Sequence, residues 1–288
     1  MATSPLVTPA WLHERLSAPD IVVLDASWYL PAAGRDAQAE YRAAHIPGAI
    51  RFDIDAVSDE GSGLPHMLPR PEVFASRMRS LGIGDGMHVV VYDGMGLFSA
   101  PRVWWMLRTF GVRDVAVLDG GLPAWVAAGY ATEDGEPHPR DRRHFTARLD
   151  NGAVADSGDV ARALDGGSVQ VVDARSGTRF RGEEPEPRPG VRPGHMPGAL
   201  NLHYAALQDD GRLKDPAALR AVFAGNGVDL DRPVITTCGS GVTAAIVSLA
   251  LETLGRPARS LYDGSWSEWG ADESRPVATG PAQAPRRP

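Results

Sequence analysis

Cys238 is the only cysteine in a chain of 288 residues, and it stands in Pro233-Val-Ile-Thr-Thr-Cys-Gly-Ser-Gly-Val-Thr-Ala-Ala-Ile-Val-Ser-Leu. The β-branched run before it predicts a strand, the small residues a tight loop, and the apolar stretch after it a helix. Backbone N–H groups from Gly239 through Ser240, Gly241, Val242 and Thr243 to Ala244 can converge on the sulfur, and the helix turns its positive end toward it. Both favour negative charge there, and the thiolate is the reactive form of cysteine. Gly239 and Gly241 are expected to take positive φ and curl the backbone around the sulfur. The competing reading is a small, buried, inert thiol. Ser240 could bond a substrate carbonyl or pass a proton, or could simply brace the loop. Thr243 reads as a helix cap.

Two arginines, Arg179 and Arg188, flank an acidic, proline-rich segment, Thr178-Arg-Phe-Arg-Gly-Glu-Glu-Pro-Glu-Pro-Arg-Pro-Gly. A guanidinium recognises a planar carboxylate through paired hydrogen bonds. Glu183, Glu184 and Glu186 make a surface ion-pair network the alternative, and Arg181 ranks below its neighbours. In the first half, Asp55 and His66 lie in Phe52-Asp-Ile-Asp-Ala and Leu64-Pro-His-Met-Leu-Pro. On their own they read as an aspartate and an unrelated loop histidine. One cysteine excludes an internal disulfide, and no His, Cys or carboxylate cluster has metal-ligand spacing, so neither metal nor cofactor is expected.

The elements that must position these groups come as a duplicated unit. Five blocks recur in the same order at offsets of 144 to 150 residues. They align Asp25 with Asp173, His45 with His195, Pro71 with Pro216, Asp93 with Cys238, and Trp125 with Trp269. Strands are predicted at Ile21 to Asp25, Val89 to Tyr92 and Val115 to Leu118, and again at Val169 to Asp173, Val234 to Thr237 and Ser260 to Tyr262. Thr8-Pro9 and Asp215-Pro216 open helices, the second with Leu219, Val222 and Phe223 on its apolar face. Strands alternating with helices imply an α/β fold with mainly parallel sheets covered on both faces, whose ligands collect at the carboxyl ends of the strands. Residues 1–138 and 152–277 are expected as the two domains, 139–151 as a linker with a solvated basic run, and 278–288 as a disordered tail. Features shared by both halves, including His45, His195, Asp25, Asp173, Asp119 and Asp263, are assigned to the fold. Trp125, Trp266 and Trp269 are read as core or interface residues.

Composition fits this reading. Lys and Arg number 29 against 36 Asp and Glu, a formal net charge of −7, which gives no support to nucleic-acid or anionic-membrane binding. The N-terminus lacks a secretory pattern and no stretch reads as membrane-spanning, so the expected location is cytoplasmic.

The paired His-x-Pro-Gly-Ala blocks, Asp119-Gly-Gly-Leu-Pro-Ala-Trp, Asp263-Gly-Ser-Trp and Cys238-Gly-Ser-Gly-Val-Thr-Ala together resemble the two-domain rhodanese sulfurtransferases, over roughly residues 5 to 275. The cysteine loop resembles the 3-mercaptopyruvate branch. The resemblance implies two tandem rhodanese-like domains, with the first catalytically empty; Asp93 agrees, since a carboxylate cannot carry transferred sulfur. It implies a persulfide on Cys238, the donor carboxylate bound by Arg179 and Arg188, loop contacts from Gly239, Gly241, Val242 and Thr243, and a relay of Ser240, His66 and Asp55. The acceptor would be a thiol, such as a thioredoxin-like protein, or cyanide. Thiosulfate is the alternative donor, but it would favour cations in the loop, where Gly239 and Ser240 are neutral. A rhodanese-like phosphatase would need an arginine where Ala244 stands. A non-catalytic sulfur-carrier or binding module is the remaining alternative, weakened by Cys238.

Overall fold

The computed structural model describes residues 4–138 and 140–282. They divide into two compact units. The first holds residues 4–60, 68–138, 140–150 and 210–213; the second holds 61–67, 151–209 and 214–282. A short segment of each repeat is therefore housed in the unit built mainly from the other.

In the first unit, strands β1 (Leu6–Val7), β2 (Ile21–Asp25), β3 (Ile50–Arg51), β4 (His88–Tyr92) and β5 (Val115–Leu118) form a sheet in the order β1-β5-β4-β2-β3, parallel throughout. The second half supplies β6 (Val154–Ala155), β7 (Gln170–Asp173), β8 (Leu200–Asn201), β9 (Gln208–Asp209), β10 (Arg212–Leu213), β11 (Val234–Thr237) and β12 (Ser260–Tyr262). Its sheet runs β6-β12-β11-β7-β8, again parallel, with Val172 opposite Thr236. The central strands are mainly apolar or β-branched and, apart from the half-buried His88 that opens β4, buried at every residue, as a parallel sheet covered on both faces requires. The edge strands are two residues long, too short to show a pattern in sequence.

Helix starts follow the sequence signals. Thr8 Oγ1 accepts from the N–H of Trp11, and Asp215 Oδ1 accepts from Ala217 and Ala218; Leu219 and Phe223 are buried, while Val222 is only half-buried. Trp125, Trp266 and Trp269 are core residues, and their indole N–H groups donate to the carbonyls of Ala131, Arg192 and Pro276, each at 2.9 Å. His45 and His195 act as turn braces. Each Nδ1 lies 2.8 Å from a carbonyl, of Tyr41 and Phe180 respectively, with the imidazole stacked on that residue's ring.

Residues 140–150, which read as linker, pack on the first unit. Phe145 is buried against Phe74, Arg148 N–H donates to Phe110, and Thr146 N–H donates to Asp85. One aromatic residue anchors a largely polar run whose basic residues Arg142, Arg143 and His144 stay exposed. The start of the presumed tail is also tied down: Ala278 exchanges backbone hydrogen bonds with His195, and Gly280 donates to Arg181. Residues 283–288 of that tail lie outside the described residues. No described helix is long and apolar enough to cross a membrane.

In each sheet the connections leave in opposite directions from one pair of neighbours, β2 and β4 in the first unit and β7 and β11 in the second. Ligand crevices of open α/β sheets form at such a switch point, beyond the carboxyl ends of the strands. Cys238 follows β11 there.

Candidate active site

The strand β11 ends at Thr237, the loop runs through residues 238–243, and a helix begins at Ala244 and ends at Thr253. Cys238 is 2% exposed at the base of this loop. Its carbonyl accepts from Trp266 N–H at 2.9 Å, and the carbonyl of Gly239 accepts from Ser267 N–H at 3.0 Å and from its hydroxyl at 2.6 Å. Backbone bonds to the helix Ser265–Trp269 thus fix the loop from behind. Among the described residues, no hydrogen-bond acceptor meets the N–H groups of Gly239, Ser240, Gly241, Val242 or Thr243.

Only one of the two loop glycines is left-handed. Gly241 has φ 79°, whereas Gly239 has no positive φ. Gly239 instead lets a side chain come close: a β-carbon there would stand 3.0 Å from a guanidinium nitrogen of Arg179. Thr243 occupies the N-cap position with right-handed backbone (φ −76°, ψ −17°), and its side chain makes no capping bond, so the cap expected from its type is not formed. Val242 is buried.

Arg179 follows β7 in the short helix Gly177–Arg181. Its Nε and one terminal nitrogen bond Glu186, whose side chain is 3% exposed. Glu186 also takes a 2.6 Å bond from Arg175, a fully buried guanidinium that grips Asp173 and lies 4.5 Å over the Trp266 ring. The ion-pair reading and the anion-binding reading therefore coexist. Glu186 occupies one edge of the Arg179 fork, and the other terminal nitrogen is 3.7 Å from the β-carbon direction of Gly239. Arg188 is half-buried in the irregular segment that follows.

His66 is 5% exposed and belongs to the unit that contains Cys238. Its Nδ1 lies 3.1 Å from Ser240 Oγ and 3.4 Å from the Ser240 carbonyl oxygen. A carbonyl oxygen can only accept, so one tautomer satisfies both contacts: Nδ1–H donates to Ser240, and the serine hydroxyl proton is left to point elsewhere. The His66 backbone is left-handed, φ 60°, a strained conformation for this residue. Asp55 belongs to the first unit, where it is exposed and accepts from the indole N–H of Trp28 at 3.0 Å.

Residue-type reasoning missed Glu186 as a buried anchor, and missed Arg175 and Ser265. Arg175 had a signal in the repeat: Asp-Ala-Arg in the second half stands where the first has Asp-Ala-Ser.

Residues 8–128 and 156–272 each match the rhodanese-like domain family. The chain belongs to the rhodanese family. Among curated rhodanese relatives, 3-mercaptopyruvate sulfurtransferase of Escherichia coli is 49% identical over 96% of this chain and 99% of its own length. The human protein of that name is 46% identical over 92% and 91%. The solved structure of SseA from Escherichia coli, a 3-mercaptopyruvate sulfotransferase described as having the rhodanese fold, superposes with a TM-score of 0.84 at 46% identity, covering 92% of this chain and 99% of that one. Both rhodanese units described above, each with its five-stranded parallel sheet, agree with this match.

Proposed function

We propose that this rhodanese transfers sulfur from 3-mercaptopyruvate to a thiol acceptor or cyanide through a persulfide on Cys238. The observation that carries the reading is the small, neutral, glycine-flanked loop. It presents Cys238 beneath unengaged N–H groups, with Ser240 and the Arg179 guanidinium at its rim.

The Cys238 thiolate attacks the donor sulfur, forming the S–S bond as the C–S bond breaks. The electron pair leaves with the three-carbon fragment as the enolate of pyruvate. The donor's thiol proton ends on that carbon, giving pyruvate and Cys–S–S⁻. Arg179 and Arg188 hold the donor carboxylate by paired hydrogen bonds. Ser240, polarised by the N–H of His66, donates to the ketone oxygen where enolate charge develops. Asp55 enters through the family resemblance, as the carboxylate that would orient His66. The persulfide anion rests among the loop N–H groups of residues 239–244 until an external nucleophile takes the outer sulfur; with one cysteine the chain has no internal thiol to resolve it. A thioredoxin-like dithiol fits as acceptor.

Intact-mass analysis after donor treatment tests the intermediate: Cys238 gains one sulfur, and no gain on the wild-type protein removes the reading. A cyanide assay comparing donors tests the branch: kcat/KM is expected to be higher for 3-mercaptopyruvate than for thiosulfate, and the reverse order would make thiosulfate the donor.

A further inference from the structure

The catalytic half keeps a side chain where the empty half has none. Ser265, which opens the helix behind the cysteine loop, has φ 52° and is fully buried. Its counterpart in the repeat is Gly121, also at φ 52°. In the first unit a β-carbon at Gly121 would lie 2.3 Å from the carbonyl oxygen of Asp93, so no side chain fits. In the second unit a hydroxymethyl group occupies that place. The loop of the live half thus accommodates, between strand end and helix, a group that the loop of the empty half excludes.

That hydroxyl is fully engaged. Ser265 Oγ donates to the Tyr262 carbonyl at 2.8 Å, and it accepts from the Cys238 N–H and the Thr237 hydroxyl, each at 3.4 Å. A left-handed serine is a strained residue, and strain persists only where its surroundings enforce it. Glycine would relieve it, as Gly121 shows. His66 repeats the pattern: it is left-handed at φ 60°, and Gly211 at the matching point of the other repeat has φ 73°. Of the three left-handed non-glycine residues among the described residues, His66, Asp210 and Ser265, two stand at the loop that carries the thiol.

We infer that Ser265 is a positioning residue that sets the seat of Cys238. Its hydroxyl takes up the N–H of the nucleophile's own peptide and ties it to the end of β12 through Tyr262. This holds the thiol at a fixed height beneath the loop N–H groups. The inference rests on the persulfide reading above and adds to it the group that fixes the nucleophile's backbone.

Two variants separate positioning from packing. Ser265→Gly removes the hydroxyl and the strain together, so Tm should stay within about 2 °C of wild type. Ser265→Ala removes the hydroxyl but keeps the strain, so Tm should fall by about 3 to 5 °C. The rate of first-turnover sulfur loading on Cys238, followed by intact mass, should fall at least tenfold in both, with little change in the half-saturating donor concentration. Rate then follows the hydroxyl while Tm follows the backbone. Loading of Ser265→Gly within twofold of wild type overturns the inference, as does a rate loss that tracks Tm across the two variants. If wild type itself takes up no sulfur, it is the persulfide reading that fails.

Discussion

The loop after β4 and the loop after β11 occupy the same place in the same fold, and they handle negative charge in opposite ways. Asp93 fills its own loop. Its Oδ1 accepts from Met95 N–H at 2.9 Å, and its Oδ2 accepts from Phe98, Ser99 and Ala100 at 2.7 to 2.9 Å. Four backbone donors converge on one buried carboxylate, which shows that this strand-loop-helix is an anion cradle whatever stands at its base. Cys238 carries a single sulfur where Asp93 carries a carboxylate, and among the described residues no acceptor meets the N–H groups of residues 239–243, which are left to whatever charge the sulfur acquires. The largest predicted effect copies the loop of the first half into the second. Cys238→Asp should fold with Tm at or above wild type while sulfur transfer falls by about 10⁴-fold or more. The reciprocal change breaks the comparison if it succeeds. Asp93→Cys in a Cys238→Ser background should gain no sulfur on treatment with 3-mercaptopyruvate, because a cradle without Ser240 and Arg179 lacks the groups that deliver the donor. Sulfur on Cys at position 93 would mean that the cradle alone suffices.

The approach to each loop differs as well. Tyr41 and Phe180 are equivalent by structure, since each stacks on its histidine and accepts from it. This equivalence places Glu40 at the position of Arg179. Glu40 binds Arg35 and the Tyr29 hydroxyl, and that hydroxyl stands 2.5 Å from where a β-carbon of Gly94 would be. Arg179 instead binds Glu186 and stands against Gly239. The charge at the rim is exchanged: acid in the first half, base in the second. Arg179→Ala should lower kcat/KM for 3-mercaptopyruvate by about 10²- to 10³-fold, mostly through KM, with Arg188→Ala acting in the same sense. Arg179→Lys should rescue little of it, because an ammonium cannot offer a fork to Glu186 and a second carboxylate at once. Unchanged KM in Arg179→Ala would assign this arginine to the ion-pair network alone.

Sequence reading recovered the sheet, the central strands, the duplicated architecture and the cysteine loop, because each rests on a local pattern or on the offset between repeats. The same offset concealed the rim. The chain from Asp25 to Tyr41 is much longer than that from Asp173 to Phe180. The chain from Tyr41 to His45 is much shorter than that from Phe180 to His195. An insertion and a deletion nearly cancel, so the blocks on either side stay in register while the segments with Arg35 and Glu186 have no counterparts. The exchange of short segments between units was also invisible. It depends on which unit residues 61–67 and 210–213 pack with, and no local pattern encodes that.

His66 and Gly211 sharpen the point. In the second unit His66 meets Ser240; in the first, Gly211 packs against Met95 and Gly96, the counterparts of Ser240 and Gly241. Both are left-handed. His66→Gly copies the first half, relieves the strained backbone and removes the donor to Ser240. Turnover with 3-mercaptopyruvate should fall by about 10- to 10²-fold, with a smaller loss for thiosulfate, which has no ketone oxygen to stabilise. Equal losses with both donors would reduce His66 to a packing role.

The smallest expected effect lies at the two brace histidines. Nε2 of His45 has a carboxylate partner, Glu133, at 3.1 Å, and that residue also bridges to His45 through the backbone. The matching bridge of His195 is to Ala278, and among the described residues its buried Nε2 meets no hydrogen-bond partner. Burial, opposed by the bond to Phe180, lowers the pKa of His195 below the usual histidine value. The unfolded chain binds this proton more readily than the folded one. Stability from His195 is therefore fully present above the unfolded pKa of about 6.5 and is lost as pH falls from there toward the folded value. Ala278→Glu should supply the missing carboxylate, favour the protonated ring and shift that loss to lower pH. The difference in Tm between pH 7.5 and pH 5 should shrink by about 1 to 3 °C relative to wild type, as expected for a buried imidazole facing a partly exposed carboxylate. His195→Gln should flatten the same pH dependence by removing the titrating group, at a lower Tm throughout. An unchanged pH dependence in both variants would move the acid sensitivity of this unit to other groups and leave the two braces alike in spite of their different partners.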